Sequence, residues 1–157
     1  MTKLSVILPT YNEVENIAYL VRAIDIALKD DKEIIVVDDN SPDGTSGAVE
    51  RLIREGEVKE LRLITRMHNR GLTNSIKEGI NNARGEIILW LYCDFSMPPE
   101  VIPKLVAEID RGYDVAVGSR FMKGGSFKRA TSGSQDSWLA VLLSRLMNVF
   151  IRVVLGF

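Results

Sequence analysis

The sequence predicts an α/β domain: a mostly parallel sheet with helices on both faces. Short apolar runs alternate with stretches of helical periodicity, and the runs carry β-branched residues where a buried strand wants them. Turn-forming residues follow each run, so the two element types are punctuated in strict alternation.

The elements follow in order. Residues 4–8 (LSVIL) form a short apolar run ended by Pro9, which predicts a buried strand. Asn12 with Glu15 three residues on predicts a capping box. Ile17, Leu20, Val21, Ile24 and Leu28 then share a helical face. Residues 34–37 (IIVV) predict the second strand, which runs into the turn-rich D-D-N-S-P-D-G at 38–44. A second helix is expected from about Thr45 to Glu55, and a third strand over 61–65. Leu72, Ile76, Ile80 and Ala83 mark a third helix closed by Gly85. A fourth strand at 87–91, a fourth helix over 101–109 starting near Pro98 and Pro99, and a fifth strand at 115–117 complete the series.

Composition bounds the function. A chain of 157 residues suits one domain, and 46% apolar content supplies a core. The net charge of −1 gives no electrostatic footprint for nucleic acid. Cys93 is the single cysteine and His68 the single histidine, which excludes an internal disulfide and a zinc site built from these two. This usage points to the cytosol, and no signal peptide is read before Leu4. After Arg120 the composition shifts. Residues 123–137 are rich in glycine, serine and basic side chains and predict a mobile loop. Residues 138–157 turn apolar again at helical spacing, with Arg145 and Arg152 set among them. Such a helix is expected either to pack as core or to lie at a membrane interface, two readings of about equal weight, and at a membrane it would lie in the headgroup region rather than cross. The expected organisation is therefore a sheet domain over 1–122, a basic loop over 123–137 and an amphipathic helix over 138–157.

In an open parallel sheet the ligand sits beyond the carboxyl ends of the strands. The residues there are P-T-Y-N-E at 9–13, D-D-N-S-P-D-G-T at 38–45, H-N-R-G-L at 68–72, Asp94 with P-P-E at 98–100, and G-S-R at 118–120. Together they offer carboxylates for hydroxyls or a cation, an aromatic ring for stacking and arginines for phosphate. Neither a G-x-G-x-x-G nor a Walker A motif is present, so any nucleotide phosphate must be held by side chains and a metal rather than by glycine-rich backbone.

This ordered motif set resembles the polyprenyl (dolichol) phosphate mannosyltransferase branch of glycosyltransferase family 2, over nearly the whole chain. The resemblance implies a GT-A fold and an inverting hexosyl transfer, with mannose moving from GDP-mannose to a polyprenyl phosphate. Absence of a Q-x-x-R-W segment sets the chain apart from the processive synthases of that superfamily. By motif position, Pro9, Tyr11 and Glu13 fall in the first nucleotide-contacting loop, Val37 and Asp39 at the base and ribose, and Arg120 near the phosphates or the acceptor. Lys128 and Arg129 are ordinary solvated charges by default, with capture of the acceptor phosphate as the minority reading. The family's metal motif, Asp-x-Asp before a Pro-Pro-Glu, falls on Tyr92, Cys93 and Asp94, with Ser96 as a further oxygen ligand for Mg²⁺ or Mn²⁺. Asp94 and Arg120 are the implied catalytic pair, neutralising the leaving diphosphate.

Tyr92 stands where the first aspartate belongs, and a phenol is a poor substitute ligand, so a weakened metal site is expected. Plain structural readings stand beside these: Ser41 and Asp43 as turn and cap residues, Tyr92 as a packing ring, Cys93 as a buried small hydrophobe and His68 as a loop residue. Two other functions stay open: a related transferase using UDP-glucose or another donor, and a degenerate homologue that binds nucleotide without catalysis. Family members continue beyond the point where this chain stops, so a truncated chain is expected. A lipid-linked acceptor also implies a peripheral position at the cytoplasmic face of a membrane.

Overall fold

The structure is a computed structural model that describes residues 3–28 and 31–119. Four parallel strands form one sheet: β1 (Leu4–Thr10), β2 (Lys32–Asp38), β3 (Leu61–Thr65) and β4 (Ile87–Trp90). Their spatial order is β3-β2-β1-β4. The helices are α1 (Ile17–Ala27), α2 (Thr45–Glu55), α3 (Leu72–Asn82) and α4 (Ile102–Asp110), the last entered through a 3₁₀ turn at Pro99–Val101.

The strand alternation expected from sequence decides which residue faces which layer. Leu4, Val6 and Leu8 of β1, with Ile34 and Val36 of β2, are buried against Ile17, Leu20, Val21 and Ile24 of α1 and Val49 and Leu52 of α2. The intervening Ile7, Ile35 and Val37 form a smaller cluster on the other face, where α3 lies against β1 and β2. There α3 buries small residues, Ser75 and Gly79. A Cβ on Gly79 would stand 2.4 Å from Ile7 Cγ2, so the missing side chain is what lets the helix come this close. The expected stripe of Leu72, Ile76 and Ile80 therefore flanks the contact instead of making it, and Leu72 and Ile80 are exposed. Ile88 and Trp90 of β4 are also more than a third exposed.

Three expectations need correction. First, β1 continues through Pro9 to Thr10. The Ile7 carbonyl accepts from Leu91 N–H on the β4 side, so Pro9, two residues on, turns its missing donor the same way, past the last β4 pair. Second, α1 starts at Ile17, not after Asn12. Asn12 has left-handed backbone (φ 59°), and its N–H donates to Ser41 Oγ at 2.9 Å, so a tertiary bond replaces the capping box. Third, residues 115–117 are not a strand. A strand exists only as half of a ladder, no described strand pairs with them, and Val115 and Val117 are mostly exposed.

Candidate nucleotide-binding cleft

Four loops leave the carboxyl ends of β1 to β4. Three of them turn through a left-handed asparagine: Asn12 (φ 59°), Asn40 (φ 53°) and Asn69 (φ 52°). Asparagine tolerates this region better than other side chains with a Cβ.

The first two loops are stitched together. Asn12 N–H donates to Ser41 Oγ, Glu13 N–H to Thr45 Oγ1 at 2.9 Å, and Val14 N–H to Asp43 Oδ2 at 3.0 Å. Asp43 also accepts from the Thr45 N–H and hydroxyl. Burial alone would raise the Asp43 pKa, yet these bonds from Thr45 and Val14 hold it below the usual carboxylate value. Ser41 and Asp43 thus serve as loop fasteners, and Gly44 occupies the N-cap position of α2. Buried Asp38 is fastened in the same way, accepting from Thr10 Oγ1, from Ser41 N–H and Oγ, and from Ser46 Oγ at 2.5–3.0 Å.

Asp39 joins the second loop to the third. Arg66 Nη1 donates to its Oδ1 at 2.8 Å, Ser75 Oγ to the same oxygen at 2.9 Å, and Gly71 N–H to Oδ2 at 2.6 Å. The side chains of Arg66 and Asp39 are only 9% and 8% exposed. Between these loops opens a cleft of about 390 Å³, lined by Pro9, Thr10, Tyr11, Asp39, Arg70, Gly71 and Leu72. Tyr11 presents half its surface to solvent. The cleft thus combines an aromatic ring, an aliphatic side chain, a carboxylate edge and a guanidinium, a set suited to a flat polar ring carrying phosphates.

The fourth loop lies across β1 from the third, at the point where the strand order reverses. Asp94 Oδ1 accepts from Ser96 N–H at 2.9 Å, closing a tight turn through Phe95 at φ 55°, a conformation bulky residues rarely take. Its other oxygen has no hydrogen bond among the described residues. Burial raises the Glu13 pKa; the Asn16 amide opposes this, and the charges of Asp94 and Asp43 push it higher. A negative field therefore gathers where the loops after β1, β2 and β4 meet. Among the described residues no cluster of three or more carboxylates, histidines or cysteines has metal-holding geometry. What Asp94 offers is a single free carboxylate oxygen, which fits a hard cation completed by phosphate oxygens and water.

The sequence-expected site residues do not all gather in one place. Pro9, Tyr11 and Asp39 line the cleft. Glu13 and Asp94 lie on the acidic side, with Ser96 exposed nearby in the same turn as Asp94. The Val37 side chain is fully buried beneath α3, and Cys93 is buried in the main core. Burial first, then the Glu13 and Asp94 charges, push the Cys93 thiol pKa well up, which leaves it an inert thiol. Exposed Tyr92 packs its ring edge-on to Trp90 with centroids 5.4 Å apart. Arg120, Lys128, Arg129 and the stretch 138–157 lie outside the described residues. Sequence reading passed over Arg66 and Ser75 and placed Thr10, Arg70, Gly71 and Leu72 on the ligand edge without giving them a role there. For Arg66 the available signal was its position, one residue beyond β3 on the ligand edge.

The family model for glycosyl transferase family 2 matches residues 5–155. The chain is 44% identical over 124 residues to the dolichol-phosphate mannosyltransferase of Pyrococcus furiosus, covering 78% of this chain and 34% of that one. It is 36% identical over 158 residues to the undecaprenyl-phosphate 4-deoxy-4-formamido-L-arabinose transferase of Enterobacter sp., covering 98% and 44%. Among solved structures it resembles the mannosyltransferase PcManGT from Pyrobaculum calidifontis in complex with GDP-Man and Mn²⁺. There the TM-score is 0.54, with 32% identity over 59% of this chain and 27% of that one. It also resembles S. aureus TarS in complex with UDP-GlcNAc, with a TM-score of 0.57 and 26% identity over 69% and 31%. The parallel sheet and its helices are the α/β core of the GT-A fold. The chain belongs to glycosyltransferase family 2. It spans between a third and a half of the length of these curated relatives.

Proposed function

We propose that this chain is the donor-binding core of a glycosyltransferase that moves a hexose, mannose from GDP-mannose, onto a polyprenyl phosphate. The observation that carries the reading is the cleft at the carboxyl ends of β1 to β3, where Tyr11, Asp39, Arg70 and Leu72 surround a space of about 390 Å³. The curated relatives named for dolichol and undecaprenyl phosphate support the acceptor class, and the GDP-Man complex of PcManGT supports the donor. UDP-bound sugars are the second reading, favoured by the likeness to the TarS complex.

Tyr11 and Leu72 offer apolar surface to a base, and the Arg70 guanidinium offers donors to phosphate. Asp94 with its free oxygen, and Ser96 beside it, would hold Mg²⁺ or Mn²⁺, whose charge would offset that of the departing diphosphate. An acceptor phosphate is already largely ionised near neutral pH, its second pKa being about 6, so no strong general base is required. Catalysis then rests on holding donor and acceptor in line. Displacement from the face opposite the leaving group inverts the anomeric carbon. Arg120, with Lys128 and Arg129 in the basic stretch 123–137 of the sequence, completes the proposal on the acceptor side.

Among the described residues no helix is long and apolar enough to cross a membrane. The amphipathic pattern of 138–157, and an acceptor that resides in lipid, support peripheral attachment at the cytoplasmic face. Cosedimentation with anionic liposomes is the expected result, and protein left wholly in the supernatant would remove that part of the proposal.

The direct test is transfer from GDP-mannose and from UDP-glucose to a short polyprenyl phosphate, with and without Mn²⁺. Mannose transfer that needs Mn²⁺ is expected, while nucleotide binding with no transfer from either donor would indicate the degenerate homologue. Metal binding has its own readout. Calorimetric titration of Mn²⁺ in the presence of GDP should give a weak site that Asp94→Asn removes. Tyr92→Asp should strengthen it, since a second carboxylate then faces the cation. A tight native site that ignores Tyr92→Asp would refute the weakened-motif reading.

A further inference from the structure

Arg66 is a partly buried cation, its side chain 9% exposed, with no part in the family motifs quoted above, and its hydrogen bonds converge on one loop. Nη1 donates to Asp39 Oδ1 at 2.8 Å and to Ser75 Oγ at 2.7 Å. Nη2 donates to the carbonyl of His68 at 3.4 Å and to that of Asn69. Asp39 completes the circuit by accepting the Gly71 N–H at 2.6 Å and the Ser75 hydroxyl at 2.9 Å. Ser75 in turn sits on α3, one turn past Gly71, and its own N–H donates to the Gly71 carbonyl at 3.0 Å, while its single hydroxyl proton goes to the nearer Asp39 oxygen. Gly71 has φ 127°, a backbone state that side chains with a Cβ rarely adopt, while nothing crowds the place a Cβ would take. The glycine therefore answers to conformation, and the loop needs outside bonds to hold that conformation.

We infer that Arg66 is a positioning residue: through Asp39 and the His68 and Asn69 carbonyls it latches the loop that carries Arg70, Gly71 and Leu72 into the wall of the nucleotide cleft. The inference rests on the donor-binding reading above. It also revises the role of Asp39. Three of the four or so acceptor positions of that carboxylate are taken by the protein, so its larger contribution is to hold the wall, with one edge left facing the cleft. The pairing needs arginine. A planar guanidinium reaches two acceptors on one side and two carbonyls on the other at once, which a single ammonium cannot.

The test compares the native chain with Arg66→Lys, which keeps the charge beside Asp39, and with Ser75→Ala. Urea unfolding first identifies conditions in which all three are folded. Under those conditions GDP and UDP binding is measured by calorimetry, and amide exchange is followed at Gly71 and at Ile35 in the sheet core. Arg66→Lys should weaken nucleotide binding about tenfold or more, since misplacing a preorganised wall is costly even when the charge remains. Gly71 exchange should speed up while Ile35 exchange stays as it was. In a transfer assay the loss should fall on KM for the donor, with kcat nearly kept, because Arg66 touches no reacting atom. Unchanged affinity with a lowered urea midpoint would show that Arg66 only stabilises the fold, and would overturn the inference. A native chain that binds neither nucleotide, yet shows faster Gly71 exchange in Arg66→Lys, would overturn the donor-binding reading while leaving the latch in place.

Discussion

Asp39→Ala is expected to lower the unfolding free energy by about 3–5 kcal/mol, because it strands the Arg66 charge in a buried setting. The guanidinium keeps Ser75 and the His68 and Asn69 carbonyls as acceptors, which places the loss toward the lower end of that range. The Gly71 N–H loses its acceptor at the same time. This exceeds what one missing contact to a nucleotide would cost, about 1–3 kcal/mol in binding. Urea titration separates the two effects. The double variant Asp39→Ala with Arg66→Met removes the stranded charge and should be less destabilised than Asp39→Ala alone. If the double variant instead lost the sum of the two single losses, the buried pair would not be coupled, and the account of the second and third loops would fail.

Much of the sheet was legible because burial imposes a pattern on sequence. The β1 and β2 runs are mostly apolar since both of their faces are covered, and α1 shows its core stripe at Ile17, Leu20, Val21 and Ile24. What failed depended on partners distant in the chain. The capping box at Asn12 lost to Ser41, 29 residues away. The strand expected at 115–117 has the right residues, yet residue type cannot supply a ladder partner. The stripe on α3 was displaced because Gly79 and Ser75, which carry no apolar signal, make the close approach.

The site divides in the same way. Motif order located the cleft edge at Pro9, Tyr11 and Asp39, because those residues end strands and must appear on the ligand side. Side-chain direction was not legible from motif membership. Val37 and Cys93 belong to the matching motifs, yet Val37 lies on the strand face covered by α3 and Cys93 turns into the main core just after β4, and each is buried. The partners of Asp39 were invisible for another reason. Arg66, Gly71 and Ser75 lie 27, 32 and 36 residues downstream, and only the fold brings them to one carboxylate.

Away from the cleft, Glu33 should make folding stability depend on acid in a way that one substitution can isolate. Its carboxylate is buried under the end of α3 and accepts from Ser5 Oγ at 2.6 Å, from Arg84 N–H at 2.6 Å and from Arg62 Nη1 at 3.0 Å. Burial by itself would raise its pKa, but these donors outweigh burial and hold it below the usual glutamate value. A folded-state pKa below the unfolded one, about 4.3, means the contribution is present above that pH and fades as pH falls through the folded value. Glu33→Gln keeps the shape but loses the charge, and its amide presents two donors where donors already crowd. The expected cost at pH 7 is about 1–3 kcal/mol. The difference between native and Glu33→Gln unfolding free energies should shrink steadily as pH is lowered from 5 toward the folded pKa of Glu33, whatever the other carboxylates do, since they titrate in both proteins. The neighbouring Gly85 fixes how close this corner packs. Its N–H donates to Ser5 Oγ at 2.9 Å, and a Cβ there would stand 2.6 Å from the Ser5 backbone nitrogen. Relaxation of the loop around the substituted side chain is therefore restricted, and the lost bonds should appear as lost stability. A native-minus-variant difference that stays constant from pH 7 to pH 3 would mean Glu33 has the same pKa folded and unfolded, and one that grows as pH falls would mean its folded carboxyl is held neutral; either result would overturn this reading of the network.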